Sequence, residues 1–228
     1  MIIYSHRGES KFQPENTMPA FYLAYLLKDD GIECDIRKTK DDVIVIIHDM
    51  TINRTSDKVG FIKNMTYDEL RKINFKNNTK IVSLEDFLYY FSNKNIKLFI
   101  EIKEEGYEKE IVNLISKFNT KNITLISFNI NSLKKVKKFN KNIKTGYLIF
   151  KYSDNIKKIS KNCFIDTIIL NSLDASKETI DYVKEDFKVS IWGIKLKSDI
   201  LKFYECNVNS IIYNSGYLAK KYLEEHNA

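Results

Sequence analysis

The sequence predicts an α/β fold: a closed (β/α)8 barrel, or TIM barrel, with a small hairpin and cap excursion after the second strand. Short apolar runs alternate with amphipathic segments eight times along the 228 residues, which is typical of a parallel sheet with helices outside it. No linker or low-complexity block interrupts the alternation, so one barrel domain is expected over residues 1–228. An open doubly wound sheet is the alternative, but it would need a glycine-rich phosphate loop, and the chain has only seven glycines.

The barrel strands are predicted where apolar runs are short and rich in β-branched residues: Ile2–Ser5, Ile32–Ile36, Leu98–Ile102, Ile123–Phe128, Thr145–Ile149, Thr167–Leu170, Val189–Trp192 and Ser210–Tyr213. Helical periodicity predicts the intervening helices at about 17–28, 83–94, 107–118, 130–139, 153–160, 176–186, 197–205 and 215–225. Ser83 is followed three residues later by Asp86, which predicts a capped helix start at Ser83.

A ninth apolar run, Val43–Ile47, follows the second strand too closely for a helix to intervene. The two runs therefore predict an antiparallel hairpin. With Asp41 and Asp42 as a two-residue turn, Asp35 should face His48 across the hairpin. Residues 51–82 are then expected to form an irregular cap beside the barrel mouth.

Composition indicates which partners to expect. The net charge of +7 is compatible with phosphate-bearing ligands or with a drift toward lysine, and the lysines of 134–144 and 151–161 lack the interleaved aromatics of a nucleic-acid groove. No apolar run reaches the roughly 18–20 residues that span a bilayer, and the first residues do not resemble a signal peptide. We therefore expect no nucleic acid, no stable membrane insertion and a cytoplasmic location; the sequence does not indicate an oligomeric state.

Three carboxylates lie on two predicted barrel strands that are successive in the barrel. Glu33 and Asp35 are two residues apart in one strand, so they point to the same face, and Glu101 ends the next barrel strand. Three such oxygen donors suit one divalent cation, Mg²⁺ or Ca²⁺, with Mn²⁺ also possible. The alternative is a structural ion-pair cluster neutralised by the cations Arg7, Arg37 and Lys103.

Two of the three histidines, His6 and His48, are expected beside these acids. Their ordinary pKa lies near neutrality, so the pair is suited to general acid and base catalysis. Arg7 and Lys103 supply positive charge where a phosphate could bind, or could instead neutralise the acids.

Taken together, these motifs resemble the glycerophosphodiester phosphodiesterase family. The resemblance is dense over residues 1–60 and continues at 101–103, on the motifs His6-Arg7-Gly8, Pro14-Glu15-Asn16-Thr17, Glu33-x-Asp35, Thr39-x-Asp41, His48-Asp49, Arg54-Thr55, Gly60 and Glu101-x-Lys103. Beyond these, Ser127-Phe128 and Trp192 fall where the family has a strand-end serine and an aromatic pocket residue.

The resemblance implies a metal-dependent barrel enzyme that hydrolyses small-molecule glycerophosphodiesters to sn-glycerol 3-phosphate and an alcohol. Matched residue by residue, it implies catalytic His6 and His48, metal ligands Glu33, Asp35 and Glu101, phosphate contacts Arg7 and Lys103, and supporting or pocket residues Glu15, Asn16 and Trp192. Glu15 and Asn16 are expected to orient His6 or Arg7.

Two positions depart from the family pattern. Asp42 stands where the hairpin turn often has glycine, and Tyr213-Asn214 stands where the last barrel strand usually ends in Thr-Asp. The second departure puts the role of the last loop, and substrate choice, in doubt. Two other functions stay open: a lysophospholipase D-like or sphingomyelinase D-like phosphodiesterase, which would want an apolar rim facing a membrane, and a catalytically silent module that binds glycerophosphodiesters.

Overall fold

The protein, described by a computed structural model over residues 1–227, is a closed barrel of eight parallel strands. The barrel order is β1, β2, β5, β6, β7, β8, β9 and β10, and β1 closes the ring by pairing with both β2 and β10. The bounds are Ile2–His6, Gly31–Lys38, Lys97–Ile102, Ile123–Ser127, Lys144–Leu148, Thr167–Asn171, Lys188–Trp192 and Ser210–Tyr213, respectively. The predicted (β/α)8 barrel is thus confirmed, and each predicted strand is found within two residues of its expected ends.

Helices connect successive barrel strands and cover the outside of the barrel. They are α1 Met18–Leu26, α3 Leu84–Phe91, α4 Glu108–Ile115, α5 Ile130–Phe139, α6 Asp154–Asn162, α7 Lys177–Lys184, α8 Lys197–Glu205 and α9 Gly216–Asn227. The predicted start at Ser83 is confirmed, because the Ser83 side chain accepts a hydrogen bond from the amide of Asp86 at 3.0 Å. No helix within residues 1–227 has the length and apolarity needed to cross a membrane.

The cap lies between the two halves of a small antiparallel extension. Strands β3 (Ile44–Ile46) and β4 (Val82–Ser83) pair with each other, and β3 also pairs with β2. Between them are the short helix α2 (Tyr67–Leu70) and two single 3-10 turns, which the sequence pattern did not predict. The cap has its own apolar cluster around Ile52, Ile62 and Leu70, so it packs as a unit beside the barrel mouth.

The barrel interior is filled by one side chain from almost every strand: Tyr4, Phe99, Ile126, Leu148, Ile169 and Ile212. The rings of Tyr4 and Phe99 stack with their centroids 3.7 Å apart. Two larger clusters fill the layer between strands and helices. The packed interior leaves the carboxyl ends of the strands as the place where polar side chains can face a cavity.

The hairpin register differs by one residue from the prediction. The turn has three residues rather than two, since the amide of Thr39 donates to the carbonyl of Val43 at 2.9 Å and Asp42 adopts a left-handed φ of 62°. Ile36 therefore pairs with Ile46, and Asp35 faces Ile47 instead of His48. The predicted pairing of Asp35 with His48 was wrong, because the left-handed residue adds one position to the turn.

Candidate active site

A cavity of about 280 Å³ opens at the carboxyl ends of the barrel strands. Seven of the residues that the sequence analysis selected line it: His6, Arg7, Glu33, His48, Glu101, Lys103 and Trp192. Asp35 does not line the cavity and is only 1% exposed, but one of its oxygens lies within 4.8 Å of oxygens of Glu33 and Glu101, which do. Glu15 and Asn16 lie on the far side of the loop that follows β1, where they contact Arg7 and Asp35.

The two histidines meet because two strands share one edge of β2. Strand β1 pairs with β2 only as far as His6, which is opposite Glu33. Above that point β3 occupies the same edge and runs in the opposite direction, toward the end of β1. His48 follows β3 in a bend, so its orientation does not depend on strand alternation, and the side chain of Arg37 holds its carbonyl at 2.8 Å. The one-residue register shift therefore leaves His48 in the cavity.

The three acids lie close enough to share one cation. One oxygen each from Glu33, Asp35 and Glu101 lies within 4.8 Å of the others, and all three residues are buried. Burial, reinforced by the charges of the neighbouring acids, raises the pKa of Glu33 well above its ordinary value and that of Glu101 to about 7. The neighbouring protein groups therefore do not stabilise the ionised form of all three acids at once.

Two cations contact this cluster. Lys103 Nζ lies 2.7 Å from Glu101 and 3.4 Å from Asp35, and Arg7 Nε lies 3.2 Å from Asp35. Burial would raise the pKa of Asp35, but the charges of Arg7 and Lys103 outweigh it and lower that pKa. The third predicted cation, Arg37, does not contact the acids; it pairs with Glu104 and with the carbonyl of His48.

The loop after β1 is shaped by residues in the left-handed region. Arg7 and Asn16 have φ values of 59° and 57°, and Gly8 has 77°. At Gly8 a side chain is excluded, because a Cβ would lie 2.7 Å from the backbone of Ala20 in α1. This tight return lets the amide of Arg7 donate to Glu33 at 3.0 Å, so the loop backbone itself orients one of the acids.

Glu15 and Asn16 position charged residues of the site rather than His6. Glu15 accepts from Arg7 at 2.7 Å and from both terminal nitrogens of Arg54 at 2.7 Å. Burial would raise the pKa of Glu15, but these two guanidinium groups outweigh it and lower the pKa to about 2. Asn16 donates to Asp35 at 2.8 Å. Glu15 thus contacts Arg7, as expected for a residue near it, and neither Glu15 nor Asn16 has a hydrogen bond to His6 within residues 1–227.

The two histidines have different partners. His48 Nδ1 lies 2.7 Å from Asp49 Oδ1, and Asp49 in turn accepts from Arg54. His6 Nδ1 lies 2.8 Å from Asn214 Oδ1, at the end of β10. Burial, followed by the charge of Arg7, lowers the pKa of His6 below its ordinary value. In both rings Nδ1 is engaged, and Nε2 has no hydrogen bond within residues 1–227.

Sequence reasoning did not assign roles to Asn214, Asp49 or Arg54. Asp49 and Arg54 were part of the quoted motifs, and Asn214 was noted as a departure, so a signal existed for each. Asp49 is the chain neighbour of His48, whereas Asn214 lies 208 positions from His6, so only the fold shows the second pairing.

Aromatic side chains form the wall opposite the acids. Phe128 and Trp192 line the cavity, and their ring centroids lie 5.2 Å apart, edge to face. Trp192 Nε1 donates to the carbonyl of Ile149 at 3.0 Å, which fixes the indole. Ser127, in contrast, is buried and donates to the carbonyl of Ile102. The cavity therefore has one charged side and one apolar side.

Comparisons with known proteins identify the family. The Glycerophosphoryl diester phosphodiesterase family matches residues 6–216. A glycerophosphodiester phosphodiesterase from Caldanaerobacter subterraneus subsp. tengcongensis is 31% identical, with 92% of this chain and 93% of that protein covered.

Solved structures share the fold. One is an Oleispira antarctica phosphodiesterase in complex with the product sn-glycerol-3-phosphate, with a TM-score of 0.92 at 21% identity over 98% of this chain and 97% of that one. Another is a glycerophosphodiester phosphodiesterase from Thermotoga maritima, with a TM-score of 0.82 at 23% identity over 97% of both chains. The chain belongs to the glycerophosphoryl diester phosphodiesterase family and is an enzyme of that class.

Proposed function

We propose that this enzyme hydrolyses glycerophosphodiesters to sn-glycerol 3-phosphate and an alcohol, with one divalent cation and two histidines. The observation that carries the proposal is that His6, His48, Glu33 and Glu101 line one cavity of about 280 Å³, and that Asp35 completes the oxygen cluster of the two acids. The name of the Caldanaerobacter relative and the product bound to the Oleispira phosphodiesterase support the same substrate class.

The residues present fit a divalent cation. Oxygens of Glu33, Asp35 and Glu101 lie within 4.8 Å of one another, a spacing compatible with shared Mg²⁺, Ca²⁺ or Mn²⁺ coordination. Asp35 Oδ1 is buried and faces the Lys103 ammonium at 3.4 Å without a hydrogen bond among residues 1–227, and two of the three acids have raised pKa values. A bound cation would let all three acids ionise together and would stabilise negative charge on a phosphoryl oxygen.

Arg7 and Lys103 are proposed to contact the substrate phosphate. Both line the cavity, and neither uses all its donors on protein acids. Lys103 has three N–H groups for Glu101 and Asp35, and Arg7 Nη2 has no hydrogen bond in the described chain. A phosphodiester oxygen could therefore take the remaining donors without displacing an existing ion pair.

His6 and His48 are proposed to exchange protons with the nucleophile and the leaving alkoxide. The Asn214 and Asp49 contacts occupy Nδ1 of each ring, so each histidine has one nitrogen for the reaction. A substrate with a p-nitrophenolate leaving group shows which histidine is the acid and which is the base, because that group departs without protonation. The variant that lacks the acid histidine should regain most of its lost turnover on the nitrophenyl substrate. The variant that lacks the base histidine should not.

The direct test is a coupled assay of glycerol 3-phosphate release over a panel of head groups, with and without EDTA. Turnover that EDTA abolishes and Mg²⁺ or Ca²⁺ restores would support the proposal. Binding of a glycerophosphodiester without turnover, in metal-loaded protein, would instead indicate the silent binding module. Phosphorus NMR during turnover would show a cyclic phosphate if a substrate hydroxyl, rather than water, is the nucleophile.

A second candidate is hydrolysis of a lysophospholipid, as in the lysophospholipase D-like alternative. The apolar side of the cavity, with Phe128 and Trp192, favours it because such a wall can pack against an acyl chain. Rates of hydrolysis measured side by side on a lysophospholipid and on glycerophosphocholine distinguish the two candidates.

A further inference from the structure

Three large apolar side chains are exposed on neighbouring loops at the barrel mouth. Phe150 follows β7 and is 67% exposed, Leu173 follows β8 and is 91% exposed, and Leu196 follows β9 and is 62% exposed. We call these three residues the rim. Exposed apolar residues are common singly, but three on adjacent loops around one opening form the kind of patch that marks an interaction surface.

The rim loops are held in place by hydrogen bonds, so this exposure is built into the fold. The amide of Tyr152 donates to Asp174 at 2.6 Å, which joins the first loop to the second. Ser172 donates to the carbonyl of Gly193 at 2.8 Å, which joins the second loop to the third. Asp199 accepts from the amide of Leu196 at 3.1 Å. These contacts fix the loop backbone that carries the three rim side chains.

The rim continues the apolar wall of the active-site cavity outward. Phe150 stacks on Phe128 with ring centroids 4.5 Å apart and an interplanar angle of 19°. It also contacts Trp192 edge to face at 5.2 Å. An object that covers the rim would therefore also lie against the cavity entrance.

Lysines accompany the rim. Lys151 follows Phe150 and Lys195 precedes Leu196; both are exposed, and neither has an acid within 4.0 Å in the part of the chain described. Exposed apolar side chains between unpaired lysines match the chemistry of an anionic bilayer surface, where the apolar groups enter the headgroup region and the lysines meet lipid phosphates. We propose that the rim docks the barrel mouth on an anionic lipid surface.

The cap repeats this pattern on the other side of the mouth. In the closed barrel β2, which carries the cap, is diametrically opposite β8, which carries Leu173. The cap exposes Met50 (59%) and Val59 (80%), and Val59 follows Lys58. A lipid surface resting on both sides would place the cavity entrance between them.

Vesicle co-sedimentation tests the proposal. The native protein should bind vesicles of phosphatidylglycerol and phosphatidylcholine, and F150S/L173S/L196S should bind at least about tenfold more weakly, because three apolar side chains no longer enter the lipid. The matched control is L26S/F139S/F164S, which removes exposed apolar residues at the ends of α1 and α5 and just after α6, on the opposite face of the barrel. This control should bind as the native protein does.

A second variant tests the charges. K151Q/K195Q should bind the anionic vesicles several-fold more weakly and should be less sensitive to salt between about 0.05 and 0.5 M. Equal binding by the native protein and the rim variant, or a rim variant that converts a dimer of this chain into a monomer in sedimentation, would overturn the proposal. Because binding is measured without substrate, its failure would leave the proposed hydrolysis untouched, and loss of hydrolysis would leave the docking result standing.

Discussion

Asn214 Oδ1 lies 2.8 Å from His6 Nδ1, so the last barrel strand orients the histidine that ends the first. An amide oxygen only accepts, so Nδ1 carries the proton and Nε2 is the free nitrogen. His48 instead faces the carboxylate of Asp49. Asn214 belongs to the departure at Tyr213-Asn214, for which the sequence indicated no role. Because of it, His6 has an amide partner and His48 has a carboxylate partner.

Replacing this amide by a carboxylate should move the pH profile. In Asn214→Asp the new negative charge favours the imidazolium and raises the His6 pKa. The limb of the kcat/KM profile that His6 controls should move to higher pH by about one unit, whether His6 acts as acid or as base. The measurement is a pH–rate profile beside Asn129→Asp, a half-buried asparagine that pairs with Glu105 and does not contact His6. A profile unchanged in Asn214→Asp would show that His6 does not titrate in the reaction.

Loss of either active-site histidine should remove most of the activity. His6→Ala and His48→Ala should each lower turnover by about 10²-fold or more, the usual scale for general acid or base catalysis. Both side chains are half-buried at strand ends, so circular dichroism and the melting temperature should change little. The third histidine provides the control, since His226 lies in α9 outside the cavity and His226→Ala should keep native turnover. Near-native turnover in either active-site variant would exclude that histidine from the mechanism.

Metal binding should depend on the buried acids. Glu33→Gln and Glu101→Gln should each weaken Mg²⁺ or Ca²⁺ binding by about tenfold or more, measured by calorimetry, because each removes one charged ligand. Glu105→Gln is the control, as Glu105 is exposed and pairs with Lys135 outside the cluster. Full activity after exhaustive chelation would contradict the metal proposal.

A second pair of buried acids should make stability depend on pH. Burial, together with the neighbouring Glu9, raises the pKa of Asp29 to about 8, and the Asp29 and Glu9 side chains are both buried beside Ser5. The folded state then holds a proton that the unfolded state releases near pH 4, so the free energy of unfolding should fall as pH rises from about 4 to 8.

Asp29→Asn should remove this dependence and raise the melting temperature at pH 8. The shift should be roughly 2–4 °C for each kcal/mol regained. Thermal unfolding from pH 5 to pH 8 measures it, with Asp57→Asn as the exposed control. A variant whose melting temperature follows the native pH curve would show that Asp29 is ionised throughout.

Much of the barrel and part of the site were predictable from local patterns. Strand and helix periods are properties of neighbouring residues, so all eight barrel strands were found. The two-residue spacing of Glu33 and Asp35 places both acids on one strand face wherever the strand lies. The carboxyl ends of parallel strands meet, so His6, Glu33 and Glu101 were bound to be close once a barrel was predicted.

Only the tertiary structure determined how the other site residues are brought to His6, Glu33 and Glu101. The hairpin register depended on the left-handed φ of Asp42, a single torsion that the sequence allows but does not require. His48 reaches the cavity because β3 takes the edge of β2 that β1 leaves, and where β1 leaves it is set by the pairing of β1 with β2 in the closed barrel. The His6–Asn214 contact spans 208 positions, and the rim forms only where three loops adjoin. Local sequence determines which chemical groups end each strand, whereas ring closure determines which of them face one another.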